Sequence, residues 1–141
     1  MPPLDLRVTD APAPDELESI GRSLAAFNDA EVGPSGRRPL AVVVRDDASR
    51  IVAGLSGYTA WGWLYVQWLW VDDSQRGHGL AGRMLAAAEA EAVRRGCHGA
   101  HIDTFSPHAL HVYMKQGYAV FGTLPEFPRG RTRSFLAKSL A

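Results

Sequence analysis

A chain of 141 residues has the length of one domain, and 46% hydrophobic with 21% charged residues makes it neither a disordered tail nor a fibrous repeat. Fifteen Lys and Arg balance fifteen Asp and Glu, so there is no net positive charge with which to bind nucleic acid. Cys97 is the single cysteine, which excludes an internal disulfide and a cysteine-based zinc cluster and suits a reducing compartment.

The N-terminus, Met1-Pro2-Pro3-Leu4-Asp5, lacks the apolar run of a signal peptide. The longest apolar stretch, Leu64 to Val71, is far short of the ~20 residues that span a bilayer. The expectation is a cytoplasmic protein that enters no membrane. Leu4 to Val8 alternates between prolines, which predicts a short first strand. From Asp15 to Ala30, Leu17, Ile20, Leu24 and Phe27 recur at helical spacing, and Asp15, Glu16 and Glu18 put negative charge at the positive end of the helix dipole. Residues 33–39 form a Gly/Pro loop before a strand at Leu40 to Arg45. The turn residues Asp46 to Ser49 fold this strand back into another at Ile51 to Ala60. Trp61-Gly62-Trp63 then leads tightly into the apolar strand Leu64 to Val71.

The second half changes character. Gly79 to Arg95 is the strongest helix in the chain. Leu80, Met84, Ala88 and Ala92 fall four apart on one face, while Arg83, Glu91, Arg94 and Arg95 lie away from it. Glu91 and Arg95 make a favourable i,i+4 pair, and Gly96 is the stop. A strand at Gly99 to Phe105, a short helix at His108 to Gln116 and a hairpin of Tyr118 to Phe121 with Arg133 to Ala137 complete the chain. Strand 64–71, helix 79–95 and strand 99–105 form a β-α-β unit, whose strands must be parallel. The expected fold class is therefore α/β (α+β). It is a mixed, mostly antiparallel twisted sheet with a central parallel β-α-β unit and flanking helices, in a single domain over 1–141.

The most informative segment, Gln75-Arg76-Gly77-His78-Gly79-Leu80-Ala81-Gly82, joins the apolar strand to the strong helix. Small residues allow close backbone approach, and unpaired N–H groups at a helix start favour an anion. The chemistry implied is phosphate or pyrophosphate binding, although a glycine loop alone serves equally as an ordinary connection. Gly77, Gly79 and Gly82 also match the dinucleotide fingerprint G-x-G-x-x-G, with Asp103 near the place of its ribose-binding acid. However, Asp72 to Arg76 separate the strand from the first glycine, and the preceding strands read as antiparallel hairpins. An NAD(P)-dependent oxidoreductase is thus the less favoured alternative. The ATP-binding P-loop fits worse, because no Gly-Lys-Ser/Thr follows the glycines.

Over nearly its whole length the chain resembles the GNAT superfamily of acetyl-CoA-dependent N-acetyltransferases. Arg76-Gly77-His78-Gly79-Leu80-Ala81 is similar to that family's Gln/Arg-x-x-Gly-x-Gly/Ala signature, which opens a long helix after a central strand. Ala109-Leu110-His111-Val112-Tyr113-Met114-Lys115-Gln116-Gly117-Tyr118 resembles its second signature, Ala-x-x-x-Tyr-x-x-x-Gly-Phe/Tyr. The resemblance implies that acetyl-CoA is the cosubstrate. The backbone amides of Arg76, Gly77, His78, Gly79, Leu80 and Ala81 would hold its pyrophosphate. Leu69 and Val71 would bond its pantetheine arm through their main chains where two parallel strands splay apart. An amide at Leu69 or Trp70 would polarise the thioester carbonyl. Tyr113 would protonate the departing thiolate, and Ser106 stands where many members have a CoA-contacting asparagine. The acceptor would be a primary amine on a small molecule or a protein lysine or N-terminus, attacking directly in a ternary complex. A CoA-binding sensor or subunit without turnover is the non-enzymatic alternative.

That family often places a catalytic base on the central strand, and Leu64 to Val71 carries none. Gln67 is its one polar residue, and Asp103 and Glu31 are the candidates elsewhere. The five histidines lie between His78 and His111 near Cys97, but no three converge at zinc-ligand spacing, so no metal is expected. On an unbroken strand Trp68 and Trp70 share one face and Tyr65, Gln67 and Leu69 the other. Core packing is the expected use of the four tryptophans, with a substrate wall or a homodimer interface as alternatives. Arg129, Arg131 and Arg133 sit in the loop region before the last strand, where a solvated loop is the default. Bordering the acceptor, they would favour carboxylate-bearing amines.

Overall fold

The computed structural model of the chain describes residues 2–140. Internal contacts divide the chain into two units, one ending at Ser35 and the other starting at Gly36. The first contains helix α1 (Pro14–Val32). Pro14 opens it at a position where a missing N–H costs nothing, and the Glu16 carboxylate accepts from the Ala13 N–H at 2.8 Å. Leu17, Ile20, Leu24 and Phe27 form the expected stripe, yet all four are more than half exposed. Among the described residues of this unit no second helix or strand is present to cover them. The strand expected at Leu4 to Val8 does not form, and residues 2–9 have no regular structure. An alternating pattern supplies a face but not a hydrogen-bonding partner, and this segment joins no ladder.

The second unit is built on a six-stranded sheet: β1 (Arg38–Arg45), β2 (Ile51–Ala60), β3 (Trp63–Val71), β4 (Gly99–Thr104), β5 (Ala119–Pro125) and β6 (Thr132–Ser139). Helices α2 (Leu80–Arg94) and α3 (Pro107–Lys115) belong to the same unit. The strand order is β1-β2-β3-β4-β6-β5. Only the neighbours β3 and β4 are parallel, and the others pair antiparallel. This is the mixed sheet with a central β-α-β unit read from the sequence. Leu64, Leu85, Ala88, Ala92, Ala100 and Leu136 are fully buried between α2 and the sheet. Each buried leucine contributes about 1.5–3 kcal/mol relative to exposure.

One irregularity decides which residues face which way. In the β2–β3 ladder Ser56 pairs with Trp68 but Gly57 pairs with Val66, so Gln67 has no partner. Such a bulge reverses the alternation beyond it. Leu64 and Val66 face the core before it, whereas Leu69 and Val71 pack against the core after it. Tyr65 and Leu69 therefore lie on opposite faces, contrary to the unbroken-strand expectation. The tryptophans are not core residues either: Trp68 is 67% and Trp70 48% exposed, with Trp61 and Trp63 also exposed.

Two polar clamps hold α2 in place. Arg95, which makes the expected pair with Glu91, also bends over the end of the sheet. Its Nε donates to Glu91 at 2.8 Å, and its Nη1 donates to the Pro39 carbonyl and the Thr59 hydroxyl, both at 3.1 Å. On the other side, buried Glu89 accepts from Lys138 at 2.7 Å and from the Tyr118 hydroxyl at 2.9 Å. Lys138 also donates to the Gln116 carbonyl at 2.8 Å, which ties the end of α3 to β6.

Candidate functional site

Strands β3 and β4 pair from Trp63 with Gly99 to Val66 with Ile102 and no further, although β3 continues to Val71 and β4 to Thr104. The sheet therefore opens into a V beyond Val66, at the bulged Gln67. On its outer side β3 remains paired with β2 as far as Val71, and the Asp72 N–H donates to the Val52 carbonyl at 2.8 Å. Antiparallel alternation then assigns the bonds to β2 to Trp70 and Trp68 and turns the main-chain groups of Leu69 and Val71 into the V. Unpaired backbone groups in such a place need a partner. The opening continues into a cleft of about 930 Å³.

The glycine loop forms the mouth of that cleft. A short 3-10 turn at Asp73–Gln75, capped by the Asp72 carboxylate on the Ser74 N–H at 3.0 Å, carries the chain out of β3. Arg76 folds back, donating from Nε to the Val71 carbonyl at 3.1 Å and pairing with Asp73 at 2.6 Å. Gly77 and Gly79 adopt positive φ, at 82° and 73°, which favours glycine at both positions. Their turn aims the start of α2 at the cleft. Arg83 bonds back to the Gly79 carbonyl at 3.1 Å, while the amides of Leu80, Ala81 and Gly82 belong to the unpaired first turn. Partial positive charge is thus concentrated at the cleft mouth.

The opposite wall comes from the end of β4 and from α3. Ser106 caps α3, its hydroxyl accepting from the Ala109 N–H at 3.2 Å, with Pro107 in the first turn. At the other end Gly117, at φ 104°, reverses the chain, with its own N–H bonded to the Met114 carbonyl and the Tyr118 N–H to that of Tyr113, both at 3.0 Å. This explains the spacing Tyr-x-x-x-Gly-Tyr. The helix presents Tyr113 to the cleft, and the turn brings Tyr118 back to within 6.5 Å of it, ring to ring. Tyr113 is 5% exposed. Burial first, and then the charge of Asp103, push its phenol up to about 12, so it carries its proton at neutral pH.

Of the residues singled out in the sequence, Leu69, Trp70, Val71, Arg76, Gly77, Gly79, Leu80, Ala81, Ser106 and Tyr113 all line this cleft. The side chain of His78 does not line it and is exposed. The Ser106 hydroxyl is already used as a helix cap, a role hidden when the helix is started at His108. Asp103 also lines the cleft, whereas Glu31 belongs to the first unit. Arg133 lies on β6, as the predicted last strand requires, and lines the cleft, while Arg129 and Arg131 are exposed and do not. The sequence reading missed Phe105, His108 and Val112 as lining residues, because nothing but the meeting of β4 with α3 marks them.

Comparison with known proteins identifies the family. The profile of the Acetyltransferase (GNAT) family matches residues 5–118. The acetyltransferase Atu2258 of Agrobacterium fabrum is 43% identical over 131 residues, covering 93% of this chain and 96% of that one. Blasticidin-S acetyltransferase of Streptomyces morookaense is 37% identical over 107 residues, covering 73% and 79%. The crystal structure of an acetyltransferase from Agrobacterium tumefaciens superposes with a TM-score of 0.91 at 39% identity, over 96% of this chain and 99% of that one.

Proposed function

This chain belongs to the GNAT acetyltransferase family and is an acetyl-CoA-dependent N-acetyltransferase; from that premise we propose which of its residues carry the reaction and what it acetylates. Acetyl-CoA brings an acetyl group activated as a thioester, in which negative charge develops first on the carbonyl oxygen and then on sulfur. The chain offers a fitting group for each demand. The amides from Arg76 to Ala81 at the start of α2 are placed for the diphosphate. The main-chain groups of Leu69 and the N–H of Val71, left unpaired by the V, suit the amides of the pantetheine arm, while the Val71 carbonyl already accepts from Arg76. The Leu69 N–H is the donor for the carbonyl oxygen, because that of Trp70 is committed to β2. Tyr113, buried and protonated, is the donor for sulfur.

The acceptor is a small-molecule primary amine that attacks directly while both substrates are bound. The likeness to an enzyme named for blasticidin S supports this class. We read both units as one acetyltransferase domain, because the family match runs across them. We also read the protein as cytoplasmic, where its one thiol stays reduced. Among the described residues no helix is long and apolar enough to cross a membrane. The observation that carries the reading is the early end of the β3–β4 ladder at the Gln67 bulge, with Tyr113 buried beside the gap. Its test is calorimetric titration of CoA into the wild type and Ala81→Glu, with thiol release from acetyl-CoA measured on blasticidin S and a panel of amines. The wild type should bind CoA and release thiol only with an amine present. Equal CoA affinity in the two proteins would remove the glycine loop from the site.

A further inference from the structure

Among the described residues that line the cleft, Asp103 is the one carboxylate. It is the first residue of β4 beyond the last β3–β4 pair, Val66 with Ile102, and so stands at the vertex of the V. Ile102 points into the core, and strand alternation turns Asp103 to the opposite face, alongside His101 and Tyr65. Its side chain is 18% exposed and gripped from two strands. The Tyr65 hydroxyl donates to Oδ2 at 3.1 Å, and Arg133 Nη1 donates to Oδ1 at 2.7 Å. Both partners are themselves fixed. Tyr65 stacks on His101 with ring centroids 4.7 Å apart, and the Arg133 guanidinium lies 4.1 Å from the Phe127 ring and 5.2 Å from that of Phe105. A carboxylate has about four acceptor sites. These two bonds orient Asp103 and leave acceptor capacity for a third donor in the cleft.

We propose that Asp103 anchors a cationic acceptor amine at the vertex of the V and receives the proton that the nitrogen sheds on acetylation. The inference rests on the acetyl-transfer reading above. It also supplies the carboxylate that β3 lacks, from the strand on the other side of the gap. The ammonium loses one proton to water, and its lone pair then forms the bond to the acetyl carbon. The carbon–sulfur bond breaks with its electron pair on sulfur, which takes the proton of Tyr113. The second nitrogen proton goes to Asp103 and returns through water to the phenolate. Tyr65 and Arg133 are positioning residues, and His101 lies beside the carboxylate on the same face of β4. Burial lowers the pKa of His101, which keeps a competing positive charge away.

The test measures thiol release from acetyl-CoA with blasticidin S, spermidine, L-lysine and a tripeptide with a free N-terminus, together with CoA affinity and thermal unfolding. Asp103→Asn should reduce kcat/KM for the best of these acceptors by about 100-fold or more, and CoA affinity should change less than about threefold. Asp103→Glu should restore part of the loss, and the loss in Asp103→Asn should come without a matching fall in thermal stability, which a merely structural role for the carboxylate would not predict. Tyr65→Phe removes one hydrogen bond to the carboxylate with little change in volume, and should cost about tenfold in kcat/KM through KM for the amine. If Asp103→Asn unfolds, this gentler variant decides the matter. Wild-type rates in Asp103→Asn, or in Tyr65→Phe where it has to decide, would overturn the anchor. So would CoA binding without acetylation of any of the four amines, although the cosubstrate reading would then stand. Failure of the wild type to bind CoA would overturn that reading and the anchor together.

Discussion

A methyl group placed on Gly57 would lie 1.8 Å from the carbonyl oxygen of Tyr65, so at this point β2 and β3 meet backbone against backbone. The contact falls where the ladder slips and Gln67 is extruded, and it is the close approach that admits only glycine. Gly57→Ala should therefore force the strands apart at the vertex of the V. The expected cost is about 1–3 kcal/mol of stability, as for other overpacked sites, with acetyl transfer falling more than CoA affinity. Denaturant unfolding and steady-state kinetics on the same preparation would measure both. A variant as active and stable as the wild type would show that the bulge does not depend on this contact.

Tyr113→Phe keeps the ring in its pocket and removes the proton proposed for the leaving sulfur. The expected loss in kcat is about 100-fold to 10,000-fold, the usual range for a lost general acid. KM for acetyl-CoA should stay within about threefold. An unchanged kcat would assign the proton to another donor.

Ala81→Glu places a carboxylate in the first turn of α2, where the unpaired amides attract anions. A glutamate there stabilises the helix by itself, so thermal unfolding should be unchanged or slightly improved. CoA affinity should drop by about 100-fold or more through like-charge repulsion, and the loss should shrink in high salt.

Glu89 is buried and paired with both Lys138 and Tyr118. Removing one partner of such a pair leaves an uncompensated buried charge. Lys138→Met should therefore destabilise the fold by about 3–5 kcal/mol. Because the same ammonium group holds the Gln116 carbonyl, the end of α3 should loosen first. Hydrogen exchange should show faster exchange around Tyr113 to Tyr118 than elsewhere in the second unit.

The buried phenols make stability fall in alkali. Tyr113 is pushed up to about 12 from 10.0, and Tyr118 is also raised, by burial and by the neighbouring Glu89 carboxylate. In the unfolded chain both ionise near pH 10 while the folded protein keeps the protons, so above that pH the unfolded state binds fewer protons and is favoured. The stabilisation should be complete below about pH 9.5 and decline from pH 10 towards 12. The share of Tyr113 amounts to about 2–3 kcal/mol. Tyr113→Phe should flatten the curve in that window, and an equally steep decline would place the titration elsewhere.

Element by element, the order of strands and helices in the second unit was legible because its signals are local. The four-apart stripe Leu80, Met84, Ala88, Ala92, the stops at Gly96 and Gly117, and the turn at Asp46 to Ser49 each need only their immediate neighbours. The glycine loop and the Tyr113 motif were legible for the same reason, since a helix start and a helix end are written within a few residues. The strand at Leu4 to Val8 was misread because a strand depends on a partner that its own residues do not name.

What the sequence by itself determined is the sequence of elements, the parallel pairing of β3 with β4 and the glycine loop that opens α2. Only the tertiary structure decided where the β3–β4 ladder ends, that Gln67 bulges and turns Trp68 and Trp70 outward, and that Tyr65, Asp103 and Arg133 meet at one point. Local backbone preferences act over three or four residues and can be read from a string. Register and side-chain convergence depend on the packing of strands 30 or more residues apart, where one extra residue reverses every side chain that follows.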